Sequence, residues 1–276
     1  MSTATVQHKR AELFRSLHDG FLVLPNAWDA GSARLAAEAG ATAIATSSGA
    51  QSWSQGLADG RSLTKTDVLA NLKRIVAATD LPVSADIENA YADDADGLHT
   101  TITQFLATGI VGINLEDSGA TDNGPLHVAE TAAGRIAAAR AAADDAGIDL
   151  FINARTDVFL LGVGDEDGRL ADVIDRGKAY RDAGACGLFV PGLLDLDALA
   201  TVARETGLKV NAMWLPGAPA PEQLREAGVS RYSAGTAIAQ VAYTAAADAA
   251  RAFLDGQDTV MSTSIDYVAF NDKFAK

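Results

Sequence analysis

The chain has 276 residues, of which 48% are hydrophobic and 21% charged, and its formal net charge is −14. This composition is typical of a globular protein, and the negative charge disfavours nucleic acids and anionic membranes, which both select basic surfaces. No apolar run approaches the about 18 residues of a membrane span, the polar start of the chain lacks the apolar core of a secretory signal, and a single cysteine excludes an internal disulfide. We therefore expect a cytoplasmic protein, for which a small anionic substrate remains open.

Helical segments of this chain end repeatedly at a glycine, and a short apolar run follows most of these glycines. Glycine is a natural helix stop because it adopts the left-handed conformation without a Cβ clash. The repeat predicts eight strand–helix units. The strands are predicted at 21–24 and 43–46, at runs ending at 86, 116, 153, 191 and about 213, and at 231–233. The helices are predicted at 32–39, 64–79, 99–107, 128–146, 170–183, 196–205, 221–227 and 236–254.

Eight such units in this length predict an α/β fold, a single (β/α)8 TIM-type barrel domain over residues 1–276. An open, doubly wound sheet is the alternative, although it usually has fewer units. Residues 255–276 exceed the eight units and contain apolar side chains that need cover. We expect a C-terminal helical extension that packs on its own barrel or on a partner chain.

Three of the predicted strands end in charged residues. Asp86 and Glu88 follow one strand, Glu116 and Asp117 the next, and Arg155 the one after. Because the carboxyl ends of barrel strands lie on one face, these side chains should converge there. Clustered carboxylates need a cation or a proton between them, and oxygen ligands suit Mg²⁺ or Mn²⁺. The alternative is that these acids cap helices or pair with surface lysines.

Other polar segments follow predicted strands and carry weaker signals. Trp28 follows the first strand and either walls a pocket or is a buried aromatic residue, while Asp29 is a possible helix cap. The turn at 46–49 either holds a carboxylate or phosphoryl oxygen or is a plain polar turn. Asn211, on the seventh strand, is expected at the same mouth as the acids.

The histidines and the cysteine offer few catalytic candidates. His8 and His18 precede the first predicted strand and are expected to face solvent, and His99 lies near a helix start. His127, in the loop after the fourth strand, is the one histidine expected near the site and is a candidate acid or base. Cys186 is expected to be a buried structural thiol at the opposite end of the barrel.

Seven segments of the chain resemble the isocitrate lyase/phosphoenolpyruvate mutase superfamily. The resemblance spans about residues 22–237. In this order and spacing the segments are specific to the superfamily, but not to one reaction. They are LPNAWDAGSARLAAEAGATAIATSSGA (24–50), GLADG (56–60), PVSADIENAY (82–91), GIVGINLEDS (110–118), INARTD (152–157), LFVPG (188–192) and VNAMWLPG (210–217).

The resemblance implies a barrel whose C-terminal helix is often exchanged between subunits, and hence a homodimer or homotetramer. It implies Mg²⁺ held, directly or through water, at the positions matching Asp86, Glu88 and Glu116, and a 2-oxo acid or its enolate that chelates the ion. The remaining implied roles are substrate-carboxylate binding at Ser47, Ser48 and Gly49, an acid near the metal at Asp59, substrate contact and charge stabilisation at Arg155, and a pocket position at Asn211.

One segment departs from the superfamily pattern. Relatives that cleave isocitrate-like substrates carry a Lys-Lys-Cys-Gly-His loop whose cysteine protonates the leaving carbanion. The corresponding loop 118–127 has neither cysteine nor lysine, so Thr121, Asn123 or His127 is expected to replace that acid.

The resulting functional prediction is a Mg²⁺-dependent carbon–carbon lyase or decarboxylase. Its substrate would be a small 2-oxo or 2-hydroxy di- or tricarboxylate that reacts through an enolate of pyruvate or a similar acid. The alternatives are a phosphoenolpyruvate mutase or phosphonopyruvate hydrolase, which act on a carbon–phosphorus bond, and a catalytically silent barrel that binds a metabolite.

Overall fold

The sheet of this protein is a nearly closed parallel barrel. The computed structural model describes residues 3–60, 62–121, 124–257 and 266–275. In this part of the chain the strands are β1 (Leu22–Leu24), β2 (Asn26–Ala27), β3 (Ile44–Thr46), β4 (Val83–Asp86), β5 (Gly112–Glu116), β6 (Ser118–Thr121), β7 (Gly124–Leu126), β8 (Phe151–Arg155), β9 (Gly187–Phe189), β10 (Lys209–Met213) and β11 (Val229–Ser233).

The first barrel strand is divided at Pro25 into β1 and β2. β1 pairs with β11 and β2 pairs with β3, both in parallel, so that the order β1-β11-β10-β9-β8-β5-β4-β3-β2 returns to its starting point. The carbonyl of Pro25 accepts a hydrogen bond from the Ala45 N–H across this junction, at 3.0 Å. The predicted (β/α)8 architecture is confirmed. β6 and β7 form a separate antiparallel hairpin.

Helices alternate with the barrel strands and lie within a few residues of the predicted positions. Two helices, α1 and α3, were not predicted. The helices are α1 (Thr3–Leu17), α2 (Ala30–Glu38), α3 (Ser48–Ser54), α4 (Lys65–Ala78), α5 (Ala95–Leu106), α6 (Ala129–Asp145), α7 (Arg169–Asp182), α8 (Leu196–Thr206), α9 (Pro221–Glu226), α10 (Ala237–Leu254) and α11 (Tyr267–Asp272). No helix in the described ranges is long and apolar enough to cross a membrane.

Side-chain caps fix where several helices begin. Asp29 and Ser32 form a capping box at α2, and Thr64 and Asp67 form another at α4. Each box satisfies backbone N–H groups that have no partner within the helix. α5 begins at Ala95, four residues before the predicted start, because the Asp94 carboxylate caps it. The caps therefore fix where the preceding loops at the carboxyl end of the barrel stop.

α1 covers the amino-terminal end of the barrel. Phe14 packs edge-on against Phe151 at 5.6 Å between ring centroids, and it lies against Gly112, where an added Cβ would be 2.7 Å from its ring. Gly112 and Phe151 are the first residues of β5 and β8, so the opposite end of the barrel is left for a site. The polar and charged residues of α1 gave no clear helical signal.

The expectation that His18 faces solvent is wrong, whereas His8 is exposed as expected. The His18 ring is 1% exposed and stacks on Phe151 at 3.9 Å. Its Nδ1 lies 2.7 Å from the carbonyl oxygen of Phe14. Burial, assisted by the nearby charge of Arg231, lowers the pKa of His18 to about 3, so the imidazole is neutral in the folded protein.

The described part of the C-terminal extension folds back onto α2. Lys273 forms an ion pair with Glu38, and Arg34 donates a hydrogen bond to the carbonyl of Ala275 at 3.2 Å. α10 and α11 nevertheless leave large apolar side chains in solvent. The most exposed of these are Val241, Phe253, Leu254, Tyr267 and Val268.

Candidate active site

Asp86, at the end of β4, is the best-positioned carboxylate at the open end of the barrel. Its Oδ2 accepts hydrogen bonds from the backbone N–H of Ser48 at 3.1 Å and from the Ser48 hydroxyl at 2.9 Å. Its own N–H donates to Thr46 Oγ1. The residue is only 8% exposed, and Oδ1 has no hydrogen-bond partner among the described residues. A buried carboxylate oxygen without a donor calls for a cation or a water molecule.

The turn at 46–49 begins a short helix, α3, and brings Ser48, Gly49 and Asp59 together. Ser47 is the helix cap, with its hydroxyl accepting from the N–H of Ala50 at 3.4 Å. A Cβ on Gly49 would lie 2.8 Å from Asp59 Oδ2, so the exposed Asp59 carboxylate rests directly on the glycine backbone. The lack of a side chain at Gly49 therefore creates the space that Asp59 occupies.

Glu88 lies in a strained loop after β4. Glu88, Ala90 and Tyr91 have φ values of +50°, +63° and +52°, a left-handed conformation that side chains with a Cβ disfavour. Tyr91 donates a hydrogen bond from its hydroxyl to Glu88 Oε2 at 2.5 Å. Burial and the adjacent Glu88 raise the pKa of Tyr91. Sequence reasoning assigned no role to Tyr91, although it ends one of the segments that carry the resemblance.

Glu116 and Arg155 meet across the paired ends of β5 and β8. Arg155 Nη1 lies 3.2 Å from Glu116 Oε2, and its Nε and Nη2 donate to the two oxygens of Asp157 at 2.6 and 3.0 Å. Burial alone would lower the pKa of Arg155. The carboxylates of Glu116 and Asp157 together raise it by more than burial lowers it, so the pKa rises overall. The pair with Asp157 was not predicted. It holds the guanidinium in one orientation.

The pKa of Glu116 is raised mainly because its carboxyl group is buried. Burial raises it to about 7, and the charges of Asp86 and Asp157 add to this effect, while Arg155 opposes it. Glu116 also accepts a hydrogen bond from the Ser118 hydroxyl at 2.5 Å. A cation placed near Glu116 would relieve this repulsion.

The prediction that Asp117 lies at the barrel mouth with the other acids is wrong. Its side chain is buried on the helix side of β5, where Oδ2 accepts from Tyr180 at 2.8 Å and from Arg176 at 3.1 Å. Oδ1 accepts the N–H of Asp157. Burial raises the pKa of Asp117 despite these donors. Asp117 therefore ties the barrel to α7.

Asn211 and Trp28, two of the predicted substrate contacts, differ in burial. Asn211 is fully buried, where it accepts from Asn153 at 3.0 Å and donates to Ser233 Oγ at 3.1 Å. Trp28 is partly exposed, with its ring 6.0 Å from that of Tyr243 on α10. Substrate contact by either residue remains a prediction.

The loop 118–127 forms the hairpin β6–β7 beside the site. The last residue of the loop, His127, is fixed by two hydrogen bonds. Its N–H donates to the carbonyl of Asp117 at 2.8 Å, and its carbonyl accepts from Arg176 at 2.9 Å. Asn123 lies outside the described residues, as does the side chain of Thr121. The catalytic roles predicted for Asn123 and His127 remain predictions.

Cys186 is far from this hairpin, just before β9 at the opposite end of the barrel. It is half-buried rather than buried, and its Sγ lies 3.5 Å from guanidinium nitrogens of Arg15 and Arg140. It cannot replace the missing loop cysteine.

As the side chains stand, no three His, Cys, Asp or Glu residues of the described chain are arranged to hold a metal. Glu88 contacts Tyr91, and Glu116 contacts Arg155 and Ser118, whereas one Asp86 oxygen has no donor within the described ranges. Mg²⁺ usually binds through one or two carboxylates and keeps several waters. The donor set therefore fits a largely hydrated Mg²⁺.

A family model described as phosphoenolpyruvate phosphomutase matches residues 14–254 of the chain. An uncharacterised protein of Mycobacterium tuberculosis is 38% identical over 241 residues, which is 87% of this chain and 88% of that protein. A 2-methylisocitrate lyase of Halalkalibacterium halodurans is 30% identical over 206 residues, which is 72% of this chain and 65% of the lyase.

Solved structures share the fold. A Burkholderia cenocepacia protein provisionally assigned as a lyase/mutase superimposes with a TM-score of 0.91 at 36% sequence identity, covering 99% of this chain and 98% of that one. A phosphonopyruvate hydrolase in complex with oxalate and Mg²⁺ has a TM-score of 0.83 at 24% identity, over 96% of this chain and 94% of that one. At that identity the second similarity shows the fold alone.

Proposed function

Because the chain belongs to the isocitrate lyase/phosphoenolpyruvate mutase superfamily, we propose that it is a Mg²⁺-dependent carbon–carbon lyase or decarboxylase for a small 2-oxo or 2-hydroxy di- or tricarboxylate. One observation carries the proposal. Asp86 has a buried carboxylate oxygen that no donor of the described residues reaches, and it lies at the same barrel end as the Glu116–Arg155 pair. With a cation bound at Asp86, this end of the barrel would place two positive charges, the cation and the fixed guanidinium of Arg155, beside an anionic substrate.

The bound Mg²⁺ would supply Lewis-acid polarisation of the substrate's 2-oxo or 2-hydroxy oxygen. Asp86 would hold it directly, with Glu88 and Glu116 acting through water. Mn²⁺, which prefers the same oxygen ligands, could replace it. The Mg²⁺ in the phosphonopyruvate hydrolase complex supports a divalent cation in this fold.

The residues around Asp86 would bind and orient the substrate. Ser47, Ser48 and Gly49 would receive a carboxylate, and Asp59 would lie at the edge of the cation site. Arg155, fixed by Asp157, would stabilise the negative charge that develops on the substrate as the bond breaks. The hairpin β6–β7 would close over the substrate and supply the general acid.

Carbon–phosphorus chemistry is the second candidate function. The matching family model carries the description of a phosphomutase, and the loop 118–127 lacks the cysteine that isocitrate-cleaving relatives use. A phosphoenolpyruvate mutase or phosphonopyruvate hydrolase would use the same cation and arginine. A catalytically silent barrel fits less well, because mutually repelling carboxylates have no structural purpose in a retired site.

We further propose a cytoplasmic homodimer or homotetramer in which the segment 255–276 contributes to subunit contacts. The exposed apolar side chains of α10 and α11 support such a contact, since a lone subunit would leave them in water. Light scattering of the full chain checks this. A monomer that persists at high micromolar concentration would contradict it.

The decisive experiment measures pyruvate release with Mg²⁺ and with a chelator. The substrates are oxaloacetate, 2-methylisocitrate, 2,3-dimethylmalate and phosphonopyruvate, assayed in parallel. Metal-dependent release from one of the first three, above an enzyme-free blank with Mg²⁺, supports the lyase. Release from phosphonopyruvate alone supports the hydrolase form of the second candidate. Absence of metal-dependent release from all four would argue against both pyruvate-forming activities.

Variants of the site test the assigned roles. Asp86→Asn should remove activity while the thermal midpoint stays near that of the wild type. Arg155→Met should remove activity and also lower the thermal midpoint, because Glu116 and Asp157 then stay buried without the guanidinium. Asp248→Asn, which removes an exposed carboxylate paired with Arg251, is the matched control and should remain fully active. Full activity in Asp86→Asn would refute the proposal that Asp86 binds the cation.

A further inference from the structure

The loop that follows β4 holds a conformation that its own sequence disfavours. Glu88, Ala90 and Tyr91 all have positive φ, and none of them is glycine. Such a conformation persists only where surrounding contacts enforce it. The N–H of Ala90 donates to the carbonyl of Ile87 at 2.8 Å, and the Glu88 carbonyl accepts from the N–H of Glu116 at 3.0 Å. The Tyr91 N–H also donates to Asn89 Oδ1 at 3.3 Å. The bonds of Ala90 and Tyr91 are local, whereas the bond to Glu116 ties the start of the loop to β5.

Arg135, on α6, binds the middle and the end of this loop. Its Nη2 donates to the carbonyl of Asn89 and to the carbonyl of Ala92, the latter at 3.0 Å. The residue is only 6% exposed. A charged donor buried among carbonyl oxygens makes strong hydrogen bonds, and the two acceptors lie on either side of Ala90 and Tyr91. One guanidinium therefore spans the strained segment.

Arg135 also lies beside the charged site itself. With Glu116 and Arg155 it borders a small cavity of ≈10 Å³, enough for about one water molecule. The helix that carries Arg135 thus reaches both the loop that presents Glu88 and the floor beneath the Glu116–Arg155 pair. A substitution at Arg135 would therefore affect the positions of Glu88 and Glu116, although Arg135 itself contacts no substrate.

We propose that Arg135 is a positioning residue that holds the loop 87–92, and with it the Glu88–Tyr91 pair, in the conformation required for cation binding. This inference rests on the proposed function. A lysine at this position would retain the charge but lacks the planar fork, so it would satisfy the two carbonyls less well. Residues that orient ligand side chains typically change metal affinity by about 10- to 100-fold when removed.

The test compares Arg135→Met, Arg135→Lys and a control on the same helix. Arg140→Met is the control, because Arg140 also donates to a backbone carbonyl, that of Leu150, but at the opposite end of the barrel. The first readout is amide hydrogen exchange at Ala90 and Tyr91 in the metal-free protein. The second is Mg²⁺ affinity by calorimetry, and the third is the separation of kcat from the apparent KM for Mg²⁺.

Arg135→Met should speed exchange at the two amides at least about tenfold and weaken Mg²⁺ binding about tenfold or more, with Arg135→Lys between it and the wild type. Arg140→Met should lower the thermal midpoint but leave loop exchange and Mg²⁺ affinity unchanged. Equal loop exchange in Arg135→Met and the wild type would overturn the proposal, as would equal loss of Mg²⁺ affinity in Arg140→Met.

Two further outcomes are distinguishable. If Arg135→Met does not fold, Arg135→Lys carries the same comparison, and wild-type exchange and affinity in that variant would overturn the proposal. If the wild-type protein binds no Mg²⁺, the proposed function fails, while the exchange measurement in metal-free protein still decides whether Arg135 holds the loop.

Discussion

Acidification should destabilise this protein through His18, and His18→Asn should remove that sensitivity. The folded imidazole is buried against Phe151 with its pKa lowered to about 3, whereas the unfolded value is 6.5. Between these values the unfolded chain binds a proton that the folded chain does not. Stability therefore rises with pH in this window and is lost as pH falls below 6.5.

The size of the effect follows from the width of the window. Each pH unit inside it is worth about 1.4 kcal/mol for a single group, so lowering the pH to about 4.5 should cost about 2.7 kcal/mol through His18. Glu116 works in the opposite direction, because its raised pKa favours proton uptake by the folded state. Comparing the wild type with a His18 variant cancels this contribution.

Urea unfolding at pH values of about 7.5, 6.5, 5.5 and 4.5 measures the difference. Asn can still donate to the Phe14 carbonyl that His18 Nδ1 approaches, but it cannot take up a proton. His18→Asn should be less stable at neutral pH, since the stacking on Phe151 is lost, and the gap should close by about 2.7 kcal/mol toward pH 4.5. The exposed His8 gives the control, His8→Asn, which should follow the wild type. Parallel curves for His18→Asn and the wild type would refute the reasoning.

Three further substitutions test features of the site. Ala90→Gly relieves a left-handed backbone at φ +63°, a gain of about 1–2 kcal/mol, but it removes a fully buried methyl group and adds freedom to the unfolded chain, together a loss of similar size. The thermal midpoint should therefore stay within about 2 °C of the wild type, and a larger drop would contradict the strain at Ala90. Gly49→Ala should displace the flexible Asp59 carboxylate, lowering Mg²⁺ affinity with little change in the thermal midpoint, and unchanged affinity would exclude Asp59 from the cation site. Asp117→Asn should lower the free energy of unfolding in urea by about 3 kcal/mol, because Arg176 and Tyr180 lose the buried carboxylate they share and Arg176 keeps the more exposed Asp172, while Mg²⁺ affinity stays within about twofold; unchanged stability with weakened Mg²⁺ binding would return Asp117 to the metal site.

Much of the fold follows from local signals in the chain. Helices ending at glycine and apolar runs after them are decided within a few residues, so the barrel and its element positions were predictable. α1 was missed for a different reason. Its apolar side chains Ala11, Phe14 and Leu17 recur at helical spacing, but they are few among charged residues and acquire a partner only once the barrel end exists.

The candidate site was predictable in its acids but not in their partners. Asp86, Glu116 and Arg155 end neighbouring strands, and strand ends converge in any parallel barrel. Asp117 was misplaced, yet the alternation of strand side chains contains the answer, because the residue after an inward-facing Glu116 must face the helices. The contact of Arg135 with the loop 87–92 joins residues about forty positions apart, and no local pattern encodes it.

The attachment of α1 bears on how the chain acquires its fold during synthesis. Gln7 donates to the carbonyls of Leu106 and Ile110, and Arg15 pairs with Asp149, 134 residues further along. A ribosome releases α1 well before these partners exist, so the helix must wait, undocked, until β8 has emerged. α1 is thus synthesised first but docks late. Until it docks, the apolar ring of Phe14 is exposed, and chaperones and proteases can bind the segment.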